Sequence, residues 1–115
     1  MPIFISQGRY SQDAMRGMVS TPEDRTEPVS KLIEAAGGKL LGYYVTFGEY
    51  DWLLVVEAPD SKTVAAAVIT AAAGGGVTDM KTTLAMTGAE AMQAFRTAGD
   101  LAKNFRSAGG TVAVT

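Results

Sequence analysis

Apolar and polar positions first alternate over residues 2–9, where Ile3 and Ile5 fall on one side of an extended chain and Phe4 and Ser6 on the other, which predicts a β-strand. Residues 11–19 read as a short helix or an ordered loop. Thr21-Pro22-Glu23-Asp24 then carries helix-start chemistry: Thr21 suits an N-cap, Pro22 the first helical position, and the two acids the positive end of the helix dipole. Val29, Leu32, Ile33 and Ala36 recur at helical spacing, and Gly37-Gly38 supplies the stop. Pro28 falls inside this span, where it is expected to kink or split the helix.

Residues 39–47 and 52–57 read as two strands. Only Gly48-Glu49-Tyr50-Asp51 separates them, so an antiparallel hairpin is expected. Pro59-Asp60 ends the third strand, and Asp60 caps a helix over 61–73 whose inner face is Val64, Val68 and alanines. Gly74-Gly75-Gly76 breaks that helix, and residues 77–86 read as a fourth strand. Thr87 and Glu90 have capping-box spacing ahead of a last helix reaching about Phe105, with Met92, Phe95 and Leu101 apolar. Residues 109–115 read as a flexible C-terminal tail after one domain over 1–108.

The order β-α-β-β-α-β plus a terminal helix is an α+β, ferredoxin-like arrangement, an antiparallel sheet with helices on one face. The uncovered face is expected to turn polar, and the sequence does not oblige. In the second strand Leu41, Tyr43, Val45 and Phe47 share one side, with Leu40 and Tyr44 on the other. In the third, Trp52, Leu54 and Val56 oppose Leu53 and Val55. Each such side chain gains about 1.5–3 kcal/mol by burial. A whole exposed face of them marks an interface, so a second copy of the chain, or the terminal helix, is expected to cover it.

Composition narrows the chemistry. The 115 residues carry a net charge of −2 with Lys and Arg scattered, which speaks against a nucleic-acid partner. There is no Cys and no His, so thiolate nucleophiles, the common zinc and haem ligand sets and the commonest general base are missing, and no cofactor is expected. The opening MPIFISQGRYSQ has no basic n-region, and no apolar run approaches the roughly 18 residues of a membrane span; a cytoplasmic protein with no membrane partner is expected.

The run EAAGGKLLGYYVTFGEYDWLLVVEAPD, residues 34–60, resembles the GYD domain family in its glycine pair, its Gly48-x-Tyr50-Asp51 turn and its closing Glu57-Ala58-Pro59-Asp60. Arg25 also matches the family pattern, and the likeness covers residues 2 to about 95. The resemblance implies a ferredoxin-like fold of the dimeric α/β-barrel type and supplies no reaction. The chain departs from the pattern in Pro28, in the Ala- and Gly-rich run 65–76 and in its tail. The hairpin more loosely resembles the small-molecule-sensing domain of Lrp/AsnC regulators, without their DNA-binding helix pair.

Candidate chemistry is thin. In Gly48-Glu49-Tyr50-Asp51, Gly48 is expected to supply a positive φ and Asp51 to accept backbone amides; the sharper alternative makes Tyr50 and Asp51 a proton-relay pair at a cavity mouth. Tyr43, Tyr44 and Trp52 are packing residues or, more sharply, the wall of a ligand pocket between sheet and helices, where Arg9 or Lys81 meets an anionic substituent. The six methionines fill irregular core or an adaptable cavity. Gly74-Gly75-Gly76 lacks the Lys-Ser/Thr of a phosphate loop. The expected function is a homo-oligomeric small-molecule-binding or assembly module. A cofactor-free isomerase or monooxygenase acting on a small apolar substrate is the alternative, and a protein adaptor using the last helix is a third.

Overall fold

A computed structural model describes residues 1–109; residues 110–115, most of the expected tail, lie outside the described residues. The chain divides into two compact units, Met1–Ala85 and Met86–Thr115. The first holds β1 (Ile3–Tyr10), α1 (Gln12–Ser20), α2 (Thr26–Ala36), β2 (Lys39–Val45), β3 (Trp52–Glu57), α3 (Ser61–Ala73) and β4 (Val77–Ala85). The second opens with α4 (Gly88–Ala102), the additional helix expected after the fourth strand.

The four strands form one antiparallel sheet in the order β2-β3-β1-β4, the ferredoxin-like arrangement expected from the sequence. In β1, Phe4, Ser6 and Gly8 are buried, and in β3 Trp52, Leu54 and Val56 are; register pairs Phe4 with Val56, Ser6 with Leu54 and Gly8 with Trp52. Phe4, Trp52, Leu54 and Val56 meet Ile33 of α2 and Val64 and Ala67 of α3 in a single core cluster. No helix of the first unit lies on the opposite face, where Ile3, Ile5, Leu53 and Val55 are half-buried and Tyr44 is exposed.

Local chemistry sets several boundaries away from their expected places. Residues 12–20 are helical because the Ser11 hydroxyl accepts from the Ala14 amide at 3.1 Å. Thr21 therefore ends α1, its amide donating to the Gly17 carbonyl, and does not start the next helix. The start falls at Thr26, whose amide and hydroxyl donate to the Asp24 carboxylate at 2.9 and 2.6 Å. Pro28 is thus the third residue of α2. Amides of a first turn have no partner inside the helix, so the missing N–H costs nothing and α2 runs unbroken. Gly37, at φ 105°, ends it, with Gly38 donating to the Ile33 carbonyl.

In β2 an extra residue at Leu41 shifts the register between Leu40 and Gly42. Leu40 then pairs with Val56 and Tyr43 with Leu54, both facing the helices, while Tyr44 pairs with Leu53 on the other side. Strict alternation sets Leu40 and Tyr43 apart; the bulge brings them to one face. Asp60 caps α3 through the Thr63 amide, and Thr87 and Glu90 form the expected capping box of α4, donating and accepting at 3.0 and 3.1 Å.

Candidate functional site

The helix side of the sheet is not filled. A cavity of about 610 Å³ lies inside the first unit, within the range of small-molecule sites. Its floor is the sheet: Ser6 and Tyr10 of β1, Tyr43 of β2, and Trp52, Leu54 and Val56 of β3. Its roof comes from α1 (Ala14, Met18), α2 (Val29, Leu32) and α3 (Ala67, Val68). Glu23 and Arg25, from the α1–α2 connection, reach it as an ion pair at 2.6 Å and are themselves exposed.

Three polar features interrupt the apolar wall. The Tyr10 and Tyr43 hydroxyls are hydrogen-bonded to each other. Burial, and then the hydrogen bond and closeness of Tyr43, push the Tyr10 hydroxyl well above the ordinary phenol range, so it stays protonated. Ser6 and Thr82 satisfy one another across the strands at 2.8 Å. The third is the indole of Trp52, which is 5% exposed and whose Nε1 meets no acceptor. A buried donor left unpaired costs about 1–3 kcal/mol. The ring lies against Gly8, where a Cβ would come within 2.3 Å of Trp52 Cζ2; only a residue without one lets the indole sit there.

Of the residues singled out from sequence, Tyr43 and Trp52 line the cavity together, and Arg9, Tyr44, Tyr50 and Asp51 do not. Arg9 donates through Nε to the Glu49 carbonyl at 3.0 Å. Tyr44 is exposed on the outer face, its ring folded over Gly42. Lys81 pairs with Gln7, so it faces away from the helices. Tyr10, Met18 and Met80 line the wall as well. Tyr10 is legible in the sequence: carrying the Phe4–Ser6 alternation four residues onward puts it on the same face, but the strand is expected to stop at residue 9 and instead includes it.

The Gly48–Asp51 turn serves the cavity at one remove. Its left-handed residue is Phe47, at φ 49°, and not Gly48, which has no positive φ. Asp51 does accept a backbone amide, but that of Tyr10 in β1, at 2.9 Å, while its own amide donates to the Gly8 carbonyl at 2.7 Å. Asp51 thereby continues the β1–β3 ladder past the Gly8–Trp52 pair and fixes the backbone that carries the Tyr10 ring. Tyr50 contributes its carbonyl, which accepts from the Thr46 hydroxyl at 2.7 Å and the Gly48 amide at 2.9 Å.

The chemistry available at the wall is hydrogen bonding by hydroxyl groups, which both donate and accept, and the charge of the Glu23–Arg25 ion pair. Among the described residues no cluster of three or more acidic side chains is placed to hold a metal ion, and no helix is long and apolar enough to cross a membrane.

With this geometry in hand, the sequence profile of the GYD domain matches residues 4–95. The chain belongs to the GYD domain family. A relative from Thermus thermophilus, the glutamine synthetase and cystathionine beta-lyase binding protein, is 35% identical over 80 residues, which span 70% of this GYD chain and 84% of the relative. Solved structures similar in fold include MtbAldR, at a TM-score of 0.53 and 15% identity, covering 75% of this chain and 52% of that one. The transcriptional regulator NMB0573 of Neisseria meningitidis, solved in complex with L-Met, gives a TM-score of 0.50 at 14% identity, covering 76% of this chain and 51% of its own. At such identities these two likenesses bear on the fold alone.

Proposed function

We propose that this GYD domain binds a small molecule in the cavity between its sheet and its helices, and does so as a homo-oligomer. The observation that carries the reading is the cavity itself: about 610 Å³, walled mainly by apolar side chains, with a few placed polar groups. The apolar outer face formed by Ile3, Ile5, Leu53 and Val55 supports assembly, a second copy covering it by two-fold stacking of sheet on sheet, as in a dimeric α/β barrel. That a solved regulator of similar fold was crystallised with L-Met is consistent with a ligand-binding role for the architecture.

The chain has a single tryptophan, and it stands in the cavity wall. Its fluorescence therefore reports occupancy directly. Titration with a panel of amino acids and other small metabolites is expected to shift or quench the emission, with native mass spectrometry giving stoichiometry and the number of copies. A monomer whose emission no compound perturbs overturns the reading. The enzymatic alternative places a Tyr50–Asp51 proton relay at the cavity, and neither residue lines it.

One observation favours a second role. The Thermus thermophilus relative is named for binding glutamine synthetase and cystathionine beta-lyase, and it aligns over 84% of its length. We read protein binding as the second function of this chain. Surface-plasmon resonance against purified glutamine synthetase and cystathionine beta-lyase tests it, and the lack of a saturable response to both rejects it.

A further inference from the structure

The two phenols of the cavity wall come from strands that are not neighbours. Tyr10 ends β1 and Tyr43 lies in β2, and β3 runs between those strands. Adjacent strands stand about 4.8 Å apart, so the two backbones are roughly 10 Å apart, and the hydroxyls meet because both rings lean over β3. Both side chains pack on the helix-side core, which puts the hydroxyl pair in the layer that holds the cavity. Both residues are half-buried, so a visiting molecule can reach them. A phenol hydroxyl both donates and accepts. The Tyr10–Tyr43 bond uses one of the two hydrogens, and neither hydroxyl has another partner among the described residues. One hydrogen and open acceptor positions therefore remain at a single point of the wall. Much of the remaining polarity is already matched. Ser6 is satisfied by Thr82, Thr70 donates to the Ala66 carbonyl, and Glu23 and Arg25, the one anion and the one cation among the described lining residues, are paired. Tyr10 feels the Arg25 guanidinium and the Asp51 carboxylate at once, so no net positive field gathers there for an anion.

We propose that the cavity takes a neutral, largely apolar molecule with a hydroxyl group, an alcohol or a phenol, which extends the Tyr10–Tyr43 pair into a chain of three hydroxyls while its body lies against the apolar wall. This rests on the cavity being a binding site. A hydroxyl both donates and accepts, so it meets the pair whichever tyrosine supplies the shared hydrogen. An ether uses the spare hydrogen alone. A carboxylate meets that hydrogen too, but it leaves water for a wall whose cation is already paired, which is costly.

The test uses the full chain, labelled with ¹³C at the ring ζ carbon of its four tyrosines, and four matched probes: 5-indanol, 5-methoxyindane, indane and indane-5-carboxylate. Single Tyr→Phe variants assign the resonances. Indanol is expected to move those of Tyr10 and Tyr43, to leave those of Tyr44 and Tyr50 in place, and to bind about tenfold more tightly than indane, the size of one neutral hydrogen bond. Methoxyindane is expected to fall between the two. With Tyr10→Phe and Tyr43→Phe combined, the tenfold preference is expected to vanish while indane binding persists. Should that variant not fold, the wild-type ζ resonances decide alone. Equal binding of indanol and indane, with Tyr10 and Tyr43 unmoved, overturns the hydroxyl assignment and leaves the cavity reading standing. Methoxyindane binding as tightly as indanol overturns the hydroxyl as the preferred group. Tightest binding of the carboxylate overturns the neutral class. If no probe perturbs the tyrosines or the methyl groups of Val29, Leu32 and Val68, the cavity reading falls with it.

Discussion

On the helix side of the sheet, Phe4, Leu54 and Val56 are buried; one step along the same strands, Ile3, Ile5, Leu53 and Val55 point the other way and are half-buried. The side chains are of one kind. What separates the faces is the polar complement. The inner face holds Ser6 matched to Thr82, the Tyr10–Tyr43 pair, and Trp52, whose buried Nε1 has no partner. The outer face holds Gln7 and Glu57, which are half-buried, and Lys81, which is exposed. Apolar content alone therefore does not tell a ligand site from an assembly surface. A buried donor without a partner adds a cost that a wetted face does not carry, because leaving it unmet is costly only where water is kept out.

The sharpest way to break this contrast is to crowd one face and then the other. Gly8→Ala drives a Cβ to 2.3 Å from the Trp52 ring and is expected to destabilise the fold by about 3 kcal/mol, the upper range of overpacking, with a blue or red shift of tryptophan emission. Its outward neighbour provides the control: Gln7→Ala is expected to change stability by no more than about 0.5 kcal/mol, read from the same urea titrations. Equal costs would erase the distinction between the faces.

Asp51→Ala comes next. It strips the acceptor from the Tyr10 amide and is expected to cost about 1.5–3 kcal/mol, with Asp51→Asn costing less because an amide oxygen still accepts. On the outer face, Leu53→Asp is expected to cost the single chain only about 1 kcal/mol, since that residue is half-buried, and, if the proposed sheet-on-sheet assembly forms, to dissociate it in light scattering. Unchanged assembly would remove the outer face as the interface. Smallest near neutrality is the effect of pH. Folding raises the Tyr10 pKa, so the protonated phenol's contribution is complete below the unfolded-chain value of about 10 and is lost as the pH rises from there toward the folded value. In Tyr43→Phe, which keeps burial but drops the second hydroxyl, the alkaline loss is expected to soften.

Where local rules and tertiary packing agree, the elements can be read straight from the residues. The third strand at Trp52–Glu57, the Asp60 cap of α3 and the Thr87–Glu90 box of α4 all fall where expected. Where two local signals compete, the nearer hydrogen bond wins. Ser11 claims residues 12–20 as a helix, and that leaves Thr21-Pro22 at its end with Asp24 to start α2. The face of Tyr43 hinges on one extra residue, Leu41, and alternation carries no mark of a bulge. Trp52 is legible as a wall residue, but not its unpaired nitrogen or its need for Gly8, because both depend on a strand distant in the chain. The tie from Asp51 to Tyr10 is likewise non-local.

Two ladders of the sheet are irregular: β2 against β3 at Leu41, and β4 against β1 between Gln7 and Arg9. The extra residue of β2 and the left-handed Asp79 of β4 sit in the strands that border the sheet on either side. An edge broken in this way makes a poor template for an added strand, so fibril-like growth by side-to-side extension is discouraged at both borders. The two-fold stacking of sheet on sheet proposed above uses the broad side instead.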